Sequence, residues 1–580
     1  MGAMGDEVVV RVLPDVPAID RCFDYLVPPA LRDQVHVGDV VRIELHGRRV
    51  GGWVVAVDVE PPEGVALRPL AKRSGLGPTP DLIELAEWAA WRWAGRRASL
   101  LRTASPPRNV PALPLRPPAA TLPPTGPLTA AALDHGRSVL RLPPTAALGN
   151  VALAAAALGP ALVLCPTQTM VDRVAARLRA AGAPVAVHPE GWARGAAGTT
   201  VVGTRAAAWA PVGDLAAVVV LDEHDDAHQQ EQTPTWHARD VGIERARRAG
   251  VPCVLTSPCP TLEALAWGRL FEPDRARERA GWPVVEVVDR RDEDPTRAGL
   301  ISEPLVRLLR DGGRVVCVLN RTGRARLLAC RSCGELARCA ACDAAVEQPA
   351  DELRCRRCDA TRPPVCLHCG AGTFKNLRVG VARLREELEA LVREPVGEVT
   401  AATDALPETR VLVGTEAVLQ RLDVADACAV LDLDQELLAP RFRAVEQAFA
   451  LLARAARLVG ASGPPQGGRA AGRLLVQTRL PDHEVVQAAL RADPIRVADA
   501  ERARRELLGF PPFSALAQVS GEAAPAFVER LGAPPGVQVA QVDDRRWLLR
   551  APDHQALCDA LAAVERPPGR LRVEVDPLRV

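Results

Sequence analysis

Residues 161–204 read ALVLCPTQTMVDRVAARLRAAGAPVAVHPEGWARGAAGTTVVGT. A short apolar run is followed by a helical pattern from Gln168 to Ala181 and then by a second apolar run, TVVGT. Further apolar runs follow in AVVVLDE from residue 217 and PCVLTS from residue 252. Apolar strands that alternate with helical segments predict a parallel sheet covered by helices on both faces. The centre of the chain is therefore predicted to have an α/β fold.

Outward from this stretch, the pattern changes several times. The strand and helix alternation resumes near Arg314 and again after Glu394, which predicts a second α/β lobe. Upstream, short β-rich runs between Val8 and Val59 predict a small β domain, closed by a helix from Asp81 to Gly95. The prolines that crowd before residue 127 are typical of an extended linker.

We therefore predict a multidomain α/β protein. Its predicted parts are a β-rich domain at 1–102, a Pro-rich linker at 103–127, a first lobe at 128–290, the start of a second lobe at 291–329, a cysteine-rich insert at 330–370, the rest of the second lobe at 371–503, and a small C-terminal α+β domain at 504–580.

Composition limits the possible functions. The 580 residues include 72 Lys and Arg against 71 Asp and Glu, so any nucleic-acid site must be a local patch. Lys72 and Lys375 are the only lysines, which excludes chemistry that needs a lysine elsewhere. The longest apolar stretch, 151–166, is shorter than the roughly 18 residues that a membrane helix needs. No secretory signal is visible, so we expect a reduced, cytosolic protein without membrane contact.

Eight of the fifteen cysteines form four C-x-x-C pairs. Two such pairs complete a tetrahedron around Zn²⁺ with Zn–S bonds of about 2.3 Å, so the pattern predicts two structural zinc ions and no open catalytic position. Disulfides, redox dithiols and an iron–sulfur cluster are the alternatives. Nesting the outer pairs and the inner pairs assigns Cys330, Cys333, Cys366 and Cys369 to zinc 1, and Cys339, Cys342, Cys355 and Cys358 to zinc 2.

Two further features indicate nucleotide or nucleic-acid chemistry. Asp222 and Glu223 end the strand AVVVLDE, where a nucleotide-hydrolysing lobe holds its Mg²⁺-binding acid and its water-orienting acid. Residues 312–334 contain five arginines and no acid, which makes them the best local candidate for phosphate contact, with a solvated surface as the alternative. The five are Arg314, Arg321, Arg324, Arg326 and Arg331.

Several motifs carry a family resemblance. They are FDYLVP from residue 23, WHARD at 236–240 and LNRTGRARLLACRSCGELARCAACD from residue 319. With the acid pair and the cysteine pairs, they closely resemble, in order and over nearly the whole chain, the PriA family of bacterial replication-restart proteins. The resemblance implies a β-rich domain that binds 3′ DNA ends, two RecA-like helicase lobes, two zincs inserted in the second lobe and a C-terminal α+β domain.

The resemblance also implies partners and a location. The partners are branched DNA and replication forks with a 3′ end, single-stranded DNA-binding protein, and the machinery that loads the replicative helicase. The implied location is the cytoplasm, in association with the nucleoid.

The motifs of an ATP-driven helicase are altered. The phosphate loop needs a lysine and a hydroxyl at its distal end, but residues 140–150 read LRLPPTAALGN, with Leu148 and Gly149 in those places. In the second lobe, ARLVGASG at 456–463 replaces the arginine pair expected to face the γ-phosphate. The lysine and glycine expected after Gly414-Thr415, and the glutamine expected within LTAAALDHG, are absent as well. These losses predict a non-enzymatic, helicase-degenerate protein similar to the actinobacterial branch, with Asp222 and Glu223 in a silent site and no ATP hydrolysis.

By contrast, residues that resemble the 3′-end pocket of the family are present: Phe23, Asp24, Gly47 and, in place of a lysine, Arg68. Such a pocket needs a stacking wall, an acceptor for the 3′-hydroxyl, a close backbone approach and a cation for the phosphate. The alternative is that Phe23 is a core residue and Asp24 a turn residue. The linker lies where the family has a winged-helix domain, so we expect that module to be missing.

The sequence therefore predicts a zinc-stabilised DNA-binding scaffold that recognises stalled or branched forks and promotes primosome assembly. One alternative is an ATP-dependent 3′-5′ DNA helicase that uses non-standard ATP-site residues. Another is a zinc-ribbon protein that binds partner proteins instead of DNA.

Overall fold

The computed structural model describes residues 8–17, 19–60, 64–118, 120–293, 299–319, 327–349, 351–376, 381–400, 402–460 and 472–579. Within these residues the strands form six sheets. Short 3₁₀ turns lie at Pro29–Gln34, Arg205–Trp209 and Asp226–His228. None of the described helices is long and apolar enough to cross a bilayer.

The N-terminal part is a six-stranded sheet covered by two helices. Its elements are β1 Val9–Pro14, β2 Phe23–Leu26, β3 Val40–Leu45, β4 Arg48–Val57, β5 Arg68–Pro69, β6 Lys72–Gly75, α1 Pro80–Arg92 and α2 Arg97–Ala104, with strand order β5-β2-β1-β4-β3-β6. Alternation along β3 buries Val41 and Ile43 and exposes Arg42. The predicted helix at 81–95 is displaced: Pro80 opens α1 because the first helical position needs no N–H donor, which leaves Asp81 in the first turn.

The first lobe is a seven-stranded parallel sheet. Its elements are α3 Pro127–His135, β7 Arg137–Arg141, α4 Gly149–Leu158, β8 Ala161–Leu164, α5 Gln168–Ala180, β9 Val185–Val187, α6 Trp192–Ala196, β10 Thr200–Gly203, β11 Ala217–Val220, α7 Ala238–Ala249, β12 Cys253–Ser257, α8 Leu262–Trp267, β13 Arg269–Phe271 and α9 Arg275–Ala280, with strand order β13-β7-β12-β11-β8-β10-β9. The central strands are buried on both faces, as the continuous apolar runs predict. Between α2 and α3, the described residues form no helix or strand.

The second lobe is a six-stranded parallel sheet interrupted by an insert. Its elements are β14 Val284–Asp289, α10 Glu303–Arg310, β15 Val315–Val318, α11 Val381–Val392, β21 Val396–Val399, β22 Val411–Gly414, α12 Ala417–Arg421, β23 Ala427–Val430, α13 Asp434–Leu437, α14 Ala444–Gly460, β24 Arg473–Thr478, α15 Glu484–Arg491 and α16 Ile495–Leu508, with strand order β14-β24-β23-β15-β22-β21. The insert contains β16 Leu328–Cys330, β17 Val346–Glu347, β18 Leu353–Cys355, β19 Thr361–Arg362 and β20 Phe374–Asn376.

Two predicted boundaries are wrong. The strand β14 pairs with β24 of the second sheet, so the second lobe begins before residue 291. Helix α16 packs against α14 and α15 and continues through residue 504, so that boundary falls inside a helix. Local sequence patterns show where a strand lies but not which sheet it joins, because strand pairing is a long-range choice.

The C-terminal part is a four-stranded antiparallel sheet with two helices. Its elements are β25 Ala515–Ser520, α17 Ala524–Leu531, β26 Gln538–Asp543, β27 Arg546–Ala551, α18 His554–Ala562 and β28 Arg572–Val575, with strand order β26-β27-β25-β28. One hydrophobic cluster joins this sheet to α1 and to the first lobe. Polar bonds reinforce the contact: Arg92 donates to Asp576 at 2.6 Å, and Trp91 donates to Asp559 at 2.9 Å.

Candidate DNA-end pocket, metal centres and interlobe cleft

A cavity of about 930 Å³ opens in the N-terminal β domain. Three of the four predicted end-binding residues, Phe23, Asp24 and Arg68, line it. The fourth, Gly47, lies one position beyond the lining residue His46, at the tip of the β3–β4 turn. The structure thus brings the predicted set to one cavity and its rim.

Asp24 is held by an arginine that sequence reasoning missed. Arg11 lies directly opposite Asp24 across β1 and β2. Its Nε donates to Oδ1 at 2.8 Å and its Nη2 to Oδ2 at 3.1 Å. The side chain of Asp24 is 7% exposed and that of Arg11 43% exposed. Asp24 is therefore a strand residue with a paired carboxylate, not the turn residue of the alternative reading. The sequence feature that could have identified Arg11 is that it is the one charged residue in the otherwise apolar strand β1.

The other pocket residues have distinct environments. Phe23 is half-buried, and the guanidinium carbon of Arg21 lies 4.7 Å from its ring centroid. Arg68 sits at the rim, where its Nη1 donates to Oε1 of Glu44 at 2.6 Å. Gly47 has a positive φ of 74°, next to His46 at 47°, so the two form a two-residue hairpin turn that favours glycine. A Cβ on Gly47 would meet no atom within 4 Å, which leaves room for a ligand.

A cationic surface adjoins the pocket. Arg42 and Lys72 face each other across β3 and β6, and Arg49 lies opposite Glu44 across β3 and β4. All three cationic side chains are exposed, and none is within salt-bridge distance of a carboxylate among the described residues. Like charges directly opposite each other destabilise a sheet. We call Arg42, Arg49 and Lys72 the cationic face.

The cysteine pairs form the two clusters that the sequence predicts. Each residue contributes one sulfur, and in each cluster the sulfurs lie within 4.8 Å of one another. The shortest Sγ–Sγ distances are 3.5 Å to 3.6 Å, and all cysteines are free. A tetrahedron with Zn–S bonds of about 2.3 Å has edges of about 3.8 Å, whereas a disulfide is about 2.05 Å long. The donor set therefore fits a tetrahedral metal ion such as zinc.

Each C-x-x-C pair ends in the same backbone turn. The residue that follows the second cysteine has a positive φ in all four knuckles: Gly334 at 76°, Asp343 at 60°, Asp359 at 56° and Gly370 at 76°. Glycine and aspartate tolerate this conformation. Backbone N–H groups of residues 332, 341 and 357 lie 3.3 Å to 3.4 Å from cysteine sulfurs, which stabilises thiolates.

The segment that stands in the phosphate-loop position, residues 140–150, is partly buried, with Thr145 and Ala147 exposed. Leu148 is buried in an apolar cluster of the first lobe, and Gly149 begins α4. Thr145 donates its hydroxyl to the carbonyl of Gly281 at 3.1 Å. A Cβ on Gly460 of the second lobe would lie 2.2 Å from the Thr145 methyl, so the loop is in close contact with the other lobe.

Asp222 pairs with an arginine from the second lobe. Arg457 donates from Nη2 to Oδ1 of Asp222 at 2.9 Å, from Nη1 to Oδ2, and from Nε to the carbonyl of Pro144 at 2.8 Å. Burial opposes ionisation of Asp222, but the guanidinium outweighs it and lowers the pKa of Asp222 to about 2. Arg457 belongs to the stretch 456–463 that stands in place of the expected arginine pair, and residues 461–463 lie outside the described part, so the absence of that pair stays a prediction.

Glu223 is fully enclosed. One carboxylate oxygen accepts from the backbone N–H of Thr261 at 2.8 Å, and the other accepts from the Thr261 hydroxyl at 2.9 Å and from Arg239 at 3.2 Å. Burial raises the pKa of Glu223, although Arg239 opposes this. Both oxygens are therefore engaged by protein groups.

The arginine-rich stretch before the insert is only partly described. Arg314 is half-buried and Arg331 is exposed. Arg321, Arg324 and Arg326 lie outside the described residues. Their predicted phosphate contacts stay a prediction.

Comparisons with known proteins agree with this architecture. A family model described as 3′DNA-binding domain (3′BD) matches residues 9–106. A probable replication restart protein PriA of Mycobacterium leprae is 30% identical over 87% of this chain and 86% of its own, and one of Mycobacterium tuberculosis is 29% identical over 96% and 90%. Replication restart protein PriA of Bacillus subtilis is 28% identical over 55% of this chain, and the match spans 43% of that relative.

The family model and these similarities define the class: a replication-restart protein with an N-terminal 3′DNA-binding domain, followed by two parallel α/β sheets. The mycobacterial similarity extends over most of both chains. This chain belongs to the PriA family.

Proposed function

We propose that this chain recognises the 3′ end of DNA at stalled or branched replication forks and acts as a scaffold for primosome assembly, without ATP-driven unwinding. One observation carries the proposal: Phe23, Asp24 and Arg68 line a single cavity in the part of the chain that matches the 3′DNA-binding family model. At about 930 Å³, the cavity is large enough for a small-molecule-sized group, for which pockets of roughly 300–1,000 Å³ are typical.

Each pocket residue has a proposed role. The ring of Phe23 stacks on the terminal base, and a carboxylate oxygen of Asp24 accepts a hydrogen bond from the 3′-hydroxyl. Arg68 binds the adjacent phosphate, competing with its bond to Glu44. The open turn at Gly47 lets the DNA backbone approach. Beyond the pocket, the cationic face provides sites for further phosphates, which offsets the cost of its unpaired like charges.

The lobes are proposed to serve in positioning, not in catalysis. Leu148 lies in the core where a phosphate-binding lysine is needed, and Arg457 takes the carboxylate that would bind Mg²⁺. Glu223 is buried, and both of its oxygens accept hydrogen bonds from protein groups, which keeps it away from an attacking water molecule. These contacts support a protein that binds DNA but does not turn over ATP.

Zinc is the proposed metal in both cysteine clusters. Cys330, Cys333, Cys366 and Cys369 would hold one ion, and Cys339, Cys342, Cys355 and Cys358 the other. Four-cysteine sites leave no position open for substrate, so the ions supply folding energy to an insert whose strands are only two or three residues long. Family membership makes single-stranded DNA-binding protein and the replicative helicase loading machinery the proposed partners, in the cytoplasm at the nucleoid.

The test compares DNA ends. Short oligonucleotides and forks that carry either a 3′-hydroxyl or a 3′-phosphate are titrated with the zinc-loaded protein, and binding is followed by fluorescence anisotropy. We expect tighter binding of the 3′-hydroxyl end, with the preference lost in Asp24→Asn and kept in Asp58→Asn, an exposed aspartate of the same domain. Equal affinity for both ends in the unmodified protein would refute end recognition.

The two-lobed architecture favours one alternative function, an ATP-dependent 3′-5′ helicase with non-standard residues. It predicts ATP hydrolysis stimulated by forked DNA and abolished by Glu223→Gln. A third outcome, no preference for forks over random single strands at physiological salt, would point to a zinc-ribbon protein that binds other proteins.

A further inference from the structure

One face of helix α14 is directed at the first lobe. Arg443, immediately before the helix, and three residues within it contribute the polar side chains. Their spacings of four, seven and three residues keep them on one side of a helix with about 3.6 residues per turn. Each donates to a carboxylate of the first lobe: Arg443 to Glu263 at 2.6 Å, Gln447 to Asp226 at 2.8 Å, Arg454 to Asp225 at 3.1 Å and Arg457 to Asp222 at 2.9 Å.

The two ion pairs of Arg454 and Arg457 have little contact with water, whereas the Gln447–Asp226 bond is exposed. The side chains of Asp222 and Asp225 are 4% and 7% exposed, and that of Arg454 is 13% exposed. Arg454 also donates to Glu416 of its own lobe, so it bridges the two lobes. Ion pairs with little solvent contact are weakly screened by salt, so they hold their geometry better than surface pairs do.

Little space remains between the lobes beside these pairs. The cavity beside Asp222, Arg454 and Arg457 has a volume of about 70 Å³. This is far below the roughly 300–1,000 Å³ of a small-molecule pocket. Arg457 also bonds the carbonyl of Pro144, so one guanidinium contacts both the former phosphate loop and the former Mg²⁺-binding acid.

We infer that Arg454 and Arg457 turn the degenerate nucleotide cleft into a fixed joint, in which a side chain of the second lobe replaces the magnesium nucleotide as the partner of Asp222. In an active helicase, a nucleotide bound between the lobes closes them and its release opens them. Here the closing cation belongs to the chain, so the lobes stay together with or without nucleotide. The inference goes beyond the proposed function, because it concerns lobe motion and does not depend on what the N-terminal pocket binds.

A fixed joint has a functional consequence. The α1 helix, the first lobe and the C-terminal sheet share one hydrophobic cluster, and the joint attaches the second lobe with its metal clusters to that body. All surfaces that contact a fork would then be held in one arrangement before DNA binds. Preorganisation of this kind lowers the entropic cost of binding.

The test is a double-mutant cycle on Asp222→Asn and Arg457→Gln in the full zinc-loaded chain. Asp222 has a positive φ of 49°, which asparagine tolerates, so the substitution keeps the turn.

Hydrogen exchange of residues 140–150 and 444–460 reports opening of the joint. Each single variant leaves one buried charge unpaired, and we expect at least tenfold faster exchange in both segments. The double variant removes both charges, so we expect clearly slower exchange than in either single variant.

Two controls define the outcome. Arg502→Ala removes an exposed arginine of α16 and should leave exchange in both segments unchanged. Adding 5 mM magnesium ATP to the unmodified protein should also leave it unchanged. The inference of a fixed joint would be contradicted if the two substitutions had additive effects. It would also be contradicted if magnesium ATP changed hydrogen exchange in residues 140–150 or 444–460. Measured ATP turnover would count against both the joint and the proposed absence of catalysis, whereas a lost preference for 3′-hydroxyl ends with coupled Arg457 and Asp222 would count against the proposed function alone.

Discussion

Arg11 and Asp24 lie opposite each other on antiparallel strands and share two hydrogen bonds, at 2.8 Å and 3.1 Å. The side chain of Asp24 is nearly buried, whereas that of Arg11 is 43% exposed and lines the pocket. Because the arginine binds both oxygens, it fixes the plane of the carboxylate. The lone pairs that remain can then accept a hydrogen bond from a hydroxyl that approaches from one direction.

Arg11→Ala should therefore weaken binding of a 3′-hydroxyl end. Arg11 is 43% exposed, so loss of its two bonds to Asp24 should cost about 1 kcal/mol, which we expect as a several-fold loss of affinity by fluorescence anisotropy. Arg11→Lys keeps the charge but cannot form two parallel bonds, so its affinity should lie between that of the unmodified protein and that of Arg11→Ala. If Arg11→Ala leaves the preference for 3′-hydroxyl over 3′-phosphate intact, Arg11 does not position Asp24.

The cationic face should determine the salt dependence of binding. Each phosphate contact on a single strand contributes about 0.7 to the slope of log affinity against log salt concentration. Replacement of Arg42, Arg49 or Lys72 by alanine should make that slope shallower by about 0.7 and should weaken hydroxyl and phosphate ends equally. Asp24→Asn should instead change the preference for 3′-hydroxyl over 3′-phosphate ends and leave the slope of log affinity against log salt concentration unchanged. An unchanged slope in all three alanine variants would mean that phosphates do not follow this face.

Each of the two cysteine clusters should bind its own metal ion independently of the other. Purified protein should contain two zinc ions, and Cys342→Ser or Cys333→Ser should reduce this to one by inductively coupled plasma mass spectrometry. The buried thiol of Cys317 lies outside both clusters, so Cys317→Ser should retain both ions. Chelation should unfold the insert, since such short segments depend on metal for their stability. A single ion in the unmodified protein would contradict the two-site assignment.

The free energy of unfolding should decrease as the pH falls from 6.5 to 4. Burial lowers the pKa of His224 to about 4, although Asp222 opposes this, and burial also lowers the pKa of His188 to about 4. In this window the unfolded chain takes up protons that the folded chain does not, so each histidine costs up to about 1.4 kcal/mol per pH unit as pH falls. Asp222 contributes in a lower window, because its stabilising charge is lost as pH falls from about 4 to about 2.

The pH effect can be assigned by substitution. His224→Gln should flatten the dependence of the urea unfolding midpoint on pH between 6.5 and 4. His36 is 72% exposed, and His36→Gln should leave that dependence as it is. A parallel slope in His224→Gln and the unmodified protein would show that His224 is not the group responsible.

ATP turnover should be absent with and without forked DNA. Glu223→Gln should therefore leave the background rate unchanged, since no water is activated there. The measurement is phosphate release at saturating fork, with fork binding monitored in the same sample. Fork-stimulated release that disappears in Glu223→Gln would establish the alternative helicase function.

Much of the fold could be predicted from local patterns. The runs at 161–164 and 217–220 form buried parallel strands as expected, because continuous apolar residues of that length are stable only inside a covered sheet. The cysteine clusters were predictable as well, since the C-x-x-C spacing places two thiolates on one side of a turn. Domain boundaries were less predictable, because β14 could belong to either neighbouring sheet.

The sequence by itself determined the family, the two cysteine clusters and the absence of a lysine from residues 140–150, because each depends on residue identity or short spacing. Only the tertiary structure decided which charges meet. Arg11 and Asp24 are 13 residues apart, and Arg457 and Asp222 are 235 residues apart. Such pairs form when folding brings distant strands and helices together and excludes water from both charges. The separation of two residues along the chain therefore does not predict whether their charges pair.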